Sequence, residues 1–298
     1  MAKNKTRTNA ATVPLQIRLY RLLFTIYFNT FGRIFRKAAA ARALKIFLTP
    51  TRSGLSPERQ AYKDQASAGS IEVEAQAIQT YSWGEAGRPG VLLVHGWGGS
   101  GVSLGMFAAP LIEKGYRVYG FDGFAHGESP GRSTNMLEHA KVIHAMLEAF
   151  PETEAIICHS FGGAAAIYSL GHYPDHPIKS VAAIASPTRM NQVMLDFMKV
   201  FSIPTSLLKI MEKQAYERYG LTFSALNPEH WMAKCPDTRF LFIHDKEDRS
   251  VPFNDAEYLH QKYPHTTLIR TNGLGHNKIL WDQQVKDDVI NFIVSEHN

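Results

Sequence analysis

Ser160 stands at the end of an apolar run, Ala155-Ile156-Ile157-Cys158-His159, and is followed by Phe161-Gly162-Gly163. A strand that turns abruptly into a helix of small residues holds such a serine in a strained conformation with its hydroxyl exposed. This is the spacing Gly-x-Ser-x-Gly, with Cys158 in the first glycine position. A serine that merely caps a glycine-packed helix gives the same local pattern, so the reading depends on partners elsewhere in the chain. A hydroxyl is a weak nucleophile until a base takes its proton. His276, in Gly273-Leu274-Gly275-His276-Asn277, follows the last expected strand and precedes the final helix, whereas His260 and His265 fall in the preceding helix and turn. The imidazole in turn needs an acid to fix its tautomer. Asp245 closes an expected strand and can serve as its cap; Asp248, three residues further into the loop, can bend toward His276 and is preferred over Asp245 and Glu247.

A tetrahedral intermediate at such a serine needs backbone donors for its oxyanion. One expected donor is the N–H of Phe161, next to the nucleophile. The other is the N–H of Trp97, in the loop His95-Gly96-Trp97-Gly98-Gly99-Ser100-Gly101, whose glycines let the backbone approach a ligand. A phosphate-binding loop would continue with Lys-Ser/Thr after the glycines, and this one does not. The chemistry needs neither a metal nor an organic cofactor, and none is expected.

The elements that must position these residues begin near residue 70. Segments Ser70–Gln76, Ala77–Trp83, Val91–His95, Arg117–Asp122, Ala155–His159, Ser180–Ser186, Phe240–His244 and Thr267–Thr271 read as strands, the buried ones as continuous apolar runs. Helices are expected at Ser103–Lys114, Asn135–Phe150, Gly162–Leu170, Phe253–Tyr263 and Trp281–Glu296. This alternation implies an α/β class with a mainly parallel sheet and helices on both faces. After Pro187 the rhythm gives way to helical segments at Met190–Phe201, Ser206–Tyr219 and Pro228–Ala233. Residues 70–187 and 235–298 therefore read as the core, 188–234 as an inserted helical cap, and 1–69 as a helical extension.

Composition bounds the setting. Hydrophobic residues make up 45% and charged residues 20%, which excludes a largely disordered chain. Two cysteines, Cys158 and Cys235, cannot build a disulfide scaffold, and their rarity points to a reducing compartment, the cytoplasm. The net charge of +5 conceals an asymmetry: residues 1–60 carry twelve Lys or Arg against one acid, Glu58, and the rest of the chain is net acidic. The longest uncharged run there, Leu22–Gly32, is eleven residues, too short for a spanning helix of about 20. Leu15–Lys37 fits an amphipathic helix with Arg18, Arg21, Thr25, Asn29 and Gly32 on one narrow face. A second helix runs from Ala38 to Leu48, and a third starts at Pro57 with Ser56 as its N-cap. Two readings stand. The helices pack on the body or on a second subunit, or residues 13–48 lie in the interface of an anionic membrane, on its inner face. Nucleic acid is not an expected partner, since no recognition motif accompanies the charge.

Five motifs in order, His95-Gly96-Trp97, Asp122-Gly123-Phe124-Ala125-His126-Gly127-Glu128-Ser129, the turn at Ser160, Asp248 with Val251-Pro252, and Gly275-His276, resemble the α/β-hydrolase superfamily, in particular its capped esterase and lipase-like members. The resemblance covers residues 70–298. It implies an eight-stranded, mostly parallel sheet, with Ser160 as nucleophile, His276 as base, Asp248 as acid and Trp97 and Phe161 as oxyanion donors. It also implies that Asp122–Ser129 is a structural turn beneath the site, so His126 is not counted as catalytic. Relatives that open epoxides or cleave carbon–halogen bonds carry Asp where this chain has Ser160. The expected reaction is hydrolysis of a small-molecule carboxylic ester through an acyl-enzyme. The apolar cap residues, among them Met194, Met198, Leu207 and Met211, suggest an apolar acyl group. A thioesterase, a carbon–carbon bond hydrolase using Arg189, Lys199 or Lys209 to hold an acid group, and a non-catalytic binding protein are the alternatives.

Overall fold

Val91, Leu92, Leu93 and Val94 are all buried, and they alternate between two apolar clusters. Leu92 and Val94 pack with Val142, Ile143 and Met146, and Val91 and Leu93 with Leu111, Val289 and Ile293. A strand covered on both faces has no polar face to show, and this is why it reads as an unbroken apolar run. The computed structural model in which these contacts are seen describes residues 15–295, with side chains from residue 22 onward.

Eight strands form one sheet: β1 (Ser67–Val73), β2 (Gln76–Trp83), β3 (Gly90–Val94), β4 (Arg117–Phe121), β5 (Thr153–His159), β6 (Ser180–Ile184), β7 (Arg239–Asp245) and β8 (Thr267–Thr271). Their order is β1-β2-β4-β3-β5-β6-β7-β8; β1 to β2 and β2 to β4 are antiparallel, and the rest are parallel. The expected eight-stranded, mostly parallel α/β-hydrolase sheet is thus the one observed. The first hairpin turns earlier than expected, at Glu74 and Ala75, both at positive φ (50° and 58°). Such a turn usually advertises itself with Asn-Gly, and Glu-Ala gives no such signal. The expected helix Ser103–Lys114 is a 3₁₀ turn, Gly105–Phe107, running into Ala108–Glu113, and the last helix is shorter, Gln283–Val294. The expected end of that helix at Glu296 lies outside the described residues.

The chain divides into two compact units, one holding described residues up to Leu44 with Met194–Gly220, the other Lys45–Val193 with Leu221 onward. The first unit holds helices Leu15–Asn29, Phe31–Ile34 and most of Arg36–Phe47. The helix expected to run unbroken to Lys37 is interrupted near Thr30 and Phe35. Gly32 is buried there, and a Cβ on it would stand 3.3 Å from that of Ala39. Within this unit Phe24 meets the Phe201 ring edge-on at 5.6 Å, Arg36 donates to the Ser206 carbonyl (2.8 Å) and Gln214 to that of Lys37 (2.9 Å). The N-terminal helices therefore have a partner that their own residue pattern does not name, the inserted helical segment. Arg18 and Arg21, expected on a common face, lie outside the described side chains.

In the second unit, Asp122 ties the sheet to its loops. Its buried carboxylate accepts from Gly101 N (2.6 Å), Glu128 N (2.8 Å) and the Tyr81 hydroxyl (3.1 Å). Ser129 continues the tie, donating to the Asp122 carbonyl (2.6 Å) and accepting from Gln79 N (2.9 Å). Arg52 clamps the same turn from outside, donating to the carbonyls of Ala125, Gly127, Ser129 and Gly131. Replacing Asp122 with Ala leaves three donors without an acceptor in a buried place, so a loss of about 3 kcal/mol is expected. Urea unfolding of the variant measures it.

Candidate active site

Ser160 has φ +52° and ψ −127°, between β5 and helix Phe161–His172. A non-glycine residue there is strained, and the surroundings must hold it. Ser160 N donates to the Ile184 carbonyl on β6 (2.9 Å), and Gly163 N donates to the Ser160 carbonyl (2.9 Å). The helix leaves at so close a crossing that a Cβ on Gly162 would stand 2.5 Å from the His95 carbonyl oxygen. Cys158, in the usual glycine position, is buried and donates its Sγ–H to the Ala182 carbonyl at 3.4 Å, so the larger residue fits without displacing the turn.

Three loops meet at this point. His276 Nε2 is 3.0 Å from Ser160 Oγ, and His276 Nδ1 is 2.7 Å from Asp248 Oδ2. The second oxygen of Asp248 accepts from Ser250 N (2.7 Å) and Val251 N (2.9 Å). Burial opposes ionisation of Asp248. Its hydrogen bonds with His244, His276 and Val251 N outweigh that cost and hold the carboxyl well below the usual carboxylate range. Asp245 is occupied differently. It accepts from Glu247 N (2.9 Å), the Thr271 hydroxyl (2.8 Å) and Leu274 N (3.0 Å), fastening the loop that carries His276 to the end of β7.

Gly96 lies against the turn at Ser160, where a Cβ would stand 3.1 Å from the His159 carbonyl oxygen and 3.2 Å from Ser160 Cβ. The Trp97 ring meets the Phe161 ring edge-on at 5.0 Å. The Gly96-Trp97 backbone and the start of the helix at Phe161 thus flank Ser160 from two sides. A cleft of about 290 Å³ opens beside them, with Arg59, Trp97, Leu104, His159, Asn277 and Leu280 in its wall.

In the sequence, His159 is only the variable residue before the serine. In the structure its Nε2 donates to the His276 carbonyl (3.0 Å), so it fixes the backbone of the expected base. Burial, with the His276 ring beside it, pushes its pKa down to about 4, so it is neutral near pH 7. A motif scan cannot find it, because its partner is a backbone atom 117 residues away.

Beneath the Gly96 loop lie three buried imidazoles, His95, His126 and His139, whose nitrogens come within 4.8 Å of one another. His95 Nδ1 donates to the Gly96 carbonyl (2.8 Å) and its Nε2 accepts from Gly123 N (3.0 Å). Both of its nitrogens are therefore engaged, and it has no lone pair left for a metal. Burial drives all three toward the neutral form, His95 to about 4, His126 to about 3 and His139 well below its ordinary value. Arg189, which could have held a substrate's acid group, is committed to Asp255 through two hydrogen bonds of 2.8 and 2.6 Å.

The profile of the α/β-hydrolase-fold family matches residues 89–203, which hold the Gly96 loop and the turn at Ser160. Together with the order of the sheet, this match shows the α/β-hydrolase fold. Protein phosphatase methylesterase 1 from Bos taurus is similar at 32% identity over 111 residues, 33% of this chain and 29% of the bovine protein. The matched part is thus under a third of that relative's length. Among solved structures, the Pyrococcus furiosus esterase Pf2001 superposes with a TM-score of 0.62 at 19% identity, covering 83% of this chain and 98% of its own. A membrane phospholipase A, described as a bacterial virulence factor, gives a TM-score of 0.60 at 16% identity, covering 94% and 99% respectively. At such identities the likeness is one of fold.

The buried imidazoles make stability depend on pH with a definite sign. Unfolded, each takes a proton near pH 6.5; folded, His95 and His126 refuse it until about 4 and about 3. The unfolded state therefore binds more protons in this window, and stability falls as pH drops from about 6.5 toward 4. Asp248, with its lowered pKa, loses its contribution only below about pH 4. Melting temperature is expected to fall across the upper window, and His139→Leu to make that fall shallower by one proton. A melting temperature constant between pH 7 and 4.5 would count against the reading.

Proposed function

We propose that the chain is a serine hydrolase that cleaves a carboxylic ester through a covalent acyl-enzyme. The observation that carries this reading is the continuous relay of 3.0 Å from Ser160 Oγ to His276 Nε2 and 2.7 Å from His276 Nδ1 to Asp248. Nδ1–H donates to the Asp248 carboxylate, so Nε2 carries the lone pair that faces the serine. Ser160 Oγ passes its proton to Nε2 as it attacks the carbonyl carbon. The N–H groups of Trp97 and Phe161 are assigned to the oxyanion. The imidazolium then gives the proton to the departing alkoxide, and a water activated at the same Nε2 releases the acid and restores the serine.

An apolar acyl group is supported by the side chains of Trp97, Leu104 and Leu280 in the adjoining cleft. The insertion's methionines do not supply that support. Met194, Met198 and Met211 are buried, as is Leu207, and they count as packing. Asp248 is preferred as the acid because Asp245 already accepts three hydrogen bonds from its own loops.

We also infer peripheral contact with an anionic membrane surface. Six large apolar side chains lie exposed within residues 22–35: Leu22, Leu23, Ile26, Phe31, Ile34 and Phe35, with Ile34 at 77%. Arg33, Arg36 and Lys37 stand among and beside them in a segment whose charge is overwhelmingly positive. This is the composition of a helix that lies in an interface. Among the described residues no helix is long and apolar enough to cross a membrane.

A fluorophosphonate probe is expected to label Ser160, and Ser160→Ala to abolish labelling and lower ester turnover by about 10⁴ or more. Asp248→Asn should slow turnover strongly at temperatures where the variant stays folded, and Asp245→Asn should leave turnover per folded molecule largely unchanged. The reverse pattern would move the acid to Asp245. On flotation, the full chain should rise with phosphatidylglycerol vesicles and remain below with phosphatidylcholine vesicles. The pair Leu23→Asp and Ile34→Asp should stop it rising; flotation unaffected by that pair would end the membrane reading.

A further inference from the structure

Among the described residues, the cleft beside Ser160 has one cation in its wall, Arg59, and that residue also lines a cavity of about 180 Å³ that shares Gly98 and Gly99 with it. Two other cations border the second cavity, Arg52 and Lys63. Both are committed. The Arg52 guanidinium donates to four carbonyls, and Lys63 is paired with Glu128. Asp122, the buried acid of that cavity, is saturated by Gly101 N, Glu128 N and Tyr81.

Arg59 differs from them. It sits in the first turn of helix Pro57–Asp64, where Ser56 Oγ accepts from its backbone N–H (3.4 Å). Its guanidinium makes no hydrogen bond or salt bridge among the described residues. Glu58, next to it in the chain, is fully exposed and feels its charge only weakly, behind backbone and serine hydrogen bonds. The same charge reaches the ring of His159, the neighbour of Ser160. A guanidinium that is partly withdrawn from water has five donors to satisfy and a planar fork that matches a carboxylate or a phosphate. Held in a cleft with the apolar walls Trp97, Leu104 and Leu280, it concentrates anions where the ester must bind.

We propose that Arg59 is a specificity residue that binds a carboxylate or phosphate carried by the substrate, so that the preferred substrate is an ester with an anionic group beside the scissile bond. The proposal deepens the ester-hydrolase reading and rests on it for its kinetic test. The anionic group docks on the guanidinium while the carbonyl lies at Ser160, and the apolar part of the molecule covers Trp97, Leu104 and Leu280. The cation then selects among esters without taking part in proton transfer.

The test compares kcat/KM for three substrates: a neutral aryl butyrate, a monoaryl glutarate with its carboxylate on the acyl side, and an acylglycerol phosphate with its charge on the alcohol side. The wild-type chain should favour one of the anionic esters over the neutral one. Which of the two is favoured identifies the side on which the anion lies. Arg59→Ala should lower the ratio of anionic to neutral kcat/KM by about 10- to 100-fold, chiefly through KM, and Arg59→Glu should lower it further. Arg59→Lys should restore part of it. An unchanged ratio, or equal losses on all three substrates, would overturn the assignment. A second measurement stands without turnover: glutarate and glycerol phosphate titrated into the Ser160→Ala chain should raise its melting temperature through Arg59. Loss of that shift in the Ser160→Ala, Arg59→Ala chain supports the anion site even where the ester reading fails. Absence of any shift with both ligands overturns the site while leaving ester hydrolysis intact.

Discussion

The crossing of β5, Ser160 and the helix that follows is the constraint on which the other parts turn. Strand β5 is the hub of the parallel sheet, with β3 on one side and β6 on the other. A helix can leave it directly only if the backbone reverses within one residue, and Ser160 at φ +52° is that residue. The strain is offset by hydrogen bonding to β6 and by the absence of side chains at Gly162 and Gly163, where Cβ atoms would run into the end of β3 and into Ser186. The reversal leaves a hydroxyl at the carboxyl edge of the sheet, the edge from which the loops after β3, β7 and β8 also depart.

The loops that converge there are held by polar contacts, and no two of these contacts fix the same thing. Asp245 joins the end of β7 to the loop after β8, and Asp248, fastened by two N–H groups of its own loop, faces His276. His159 grips the His276 carbonyl from below. His95 joins the Gly96 loop to Gly123, within a neutral and largely apolar ring cluster that includes Phe121, His126 and His139. A neutral foundation matters electrostatically, since an imidazolium buried beneath Ser160 would alter the charge balance of any anionic intermediate formed above it.

Much of this is legible in the residue types. Apolar runs locate the central parallel strands β3 to β7, because burial on both faces leaves no other pattern, and the abrupt Ser-x-Gly-Gly ending locates the turn at Ser160. That Asp248, and not Asp245, comes within reach of His276 follows from the length of its loop. What cannot be read has a common physical origin. The Glu74-Ala75 turn adopts positive φ without the residues that favour it. The part played by His159 depends on a carbonyl far along the chain, and the place of Arg59 in the cleft wall depends on a helix outside the recognisable motifs. The packing of the N-terminal helices needs a partner more than 150 residues distant, whose apolar residues, taken alone, suggest a ligand pocket.

The make-up of the first compact unit has a consequence for how the chain is made. Its described residues up to Leu44 are translated early, yet the stretch that supplies Phe201, Ser206 and Gln214 is translated only after β1 to β6 are complete. At about 5–20 residues per second, the early helices wait on the order of ten seconds or more with their inner faces open to water or to whatever apolar surface lies nearby. Synthesis and assembly therefore run in opposite order for this unit, and nascent-chain crosslinking at Phe24 would report what occupies that face in the interval.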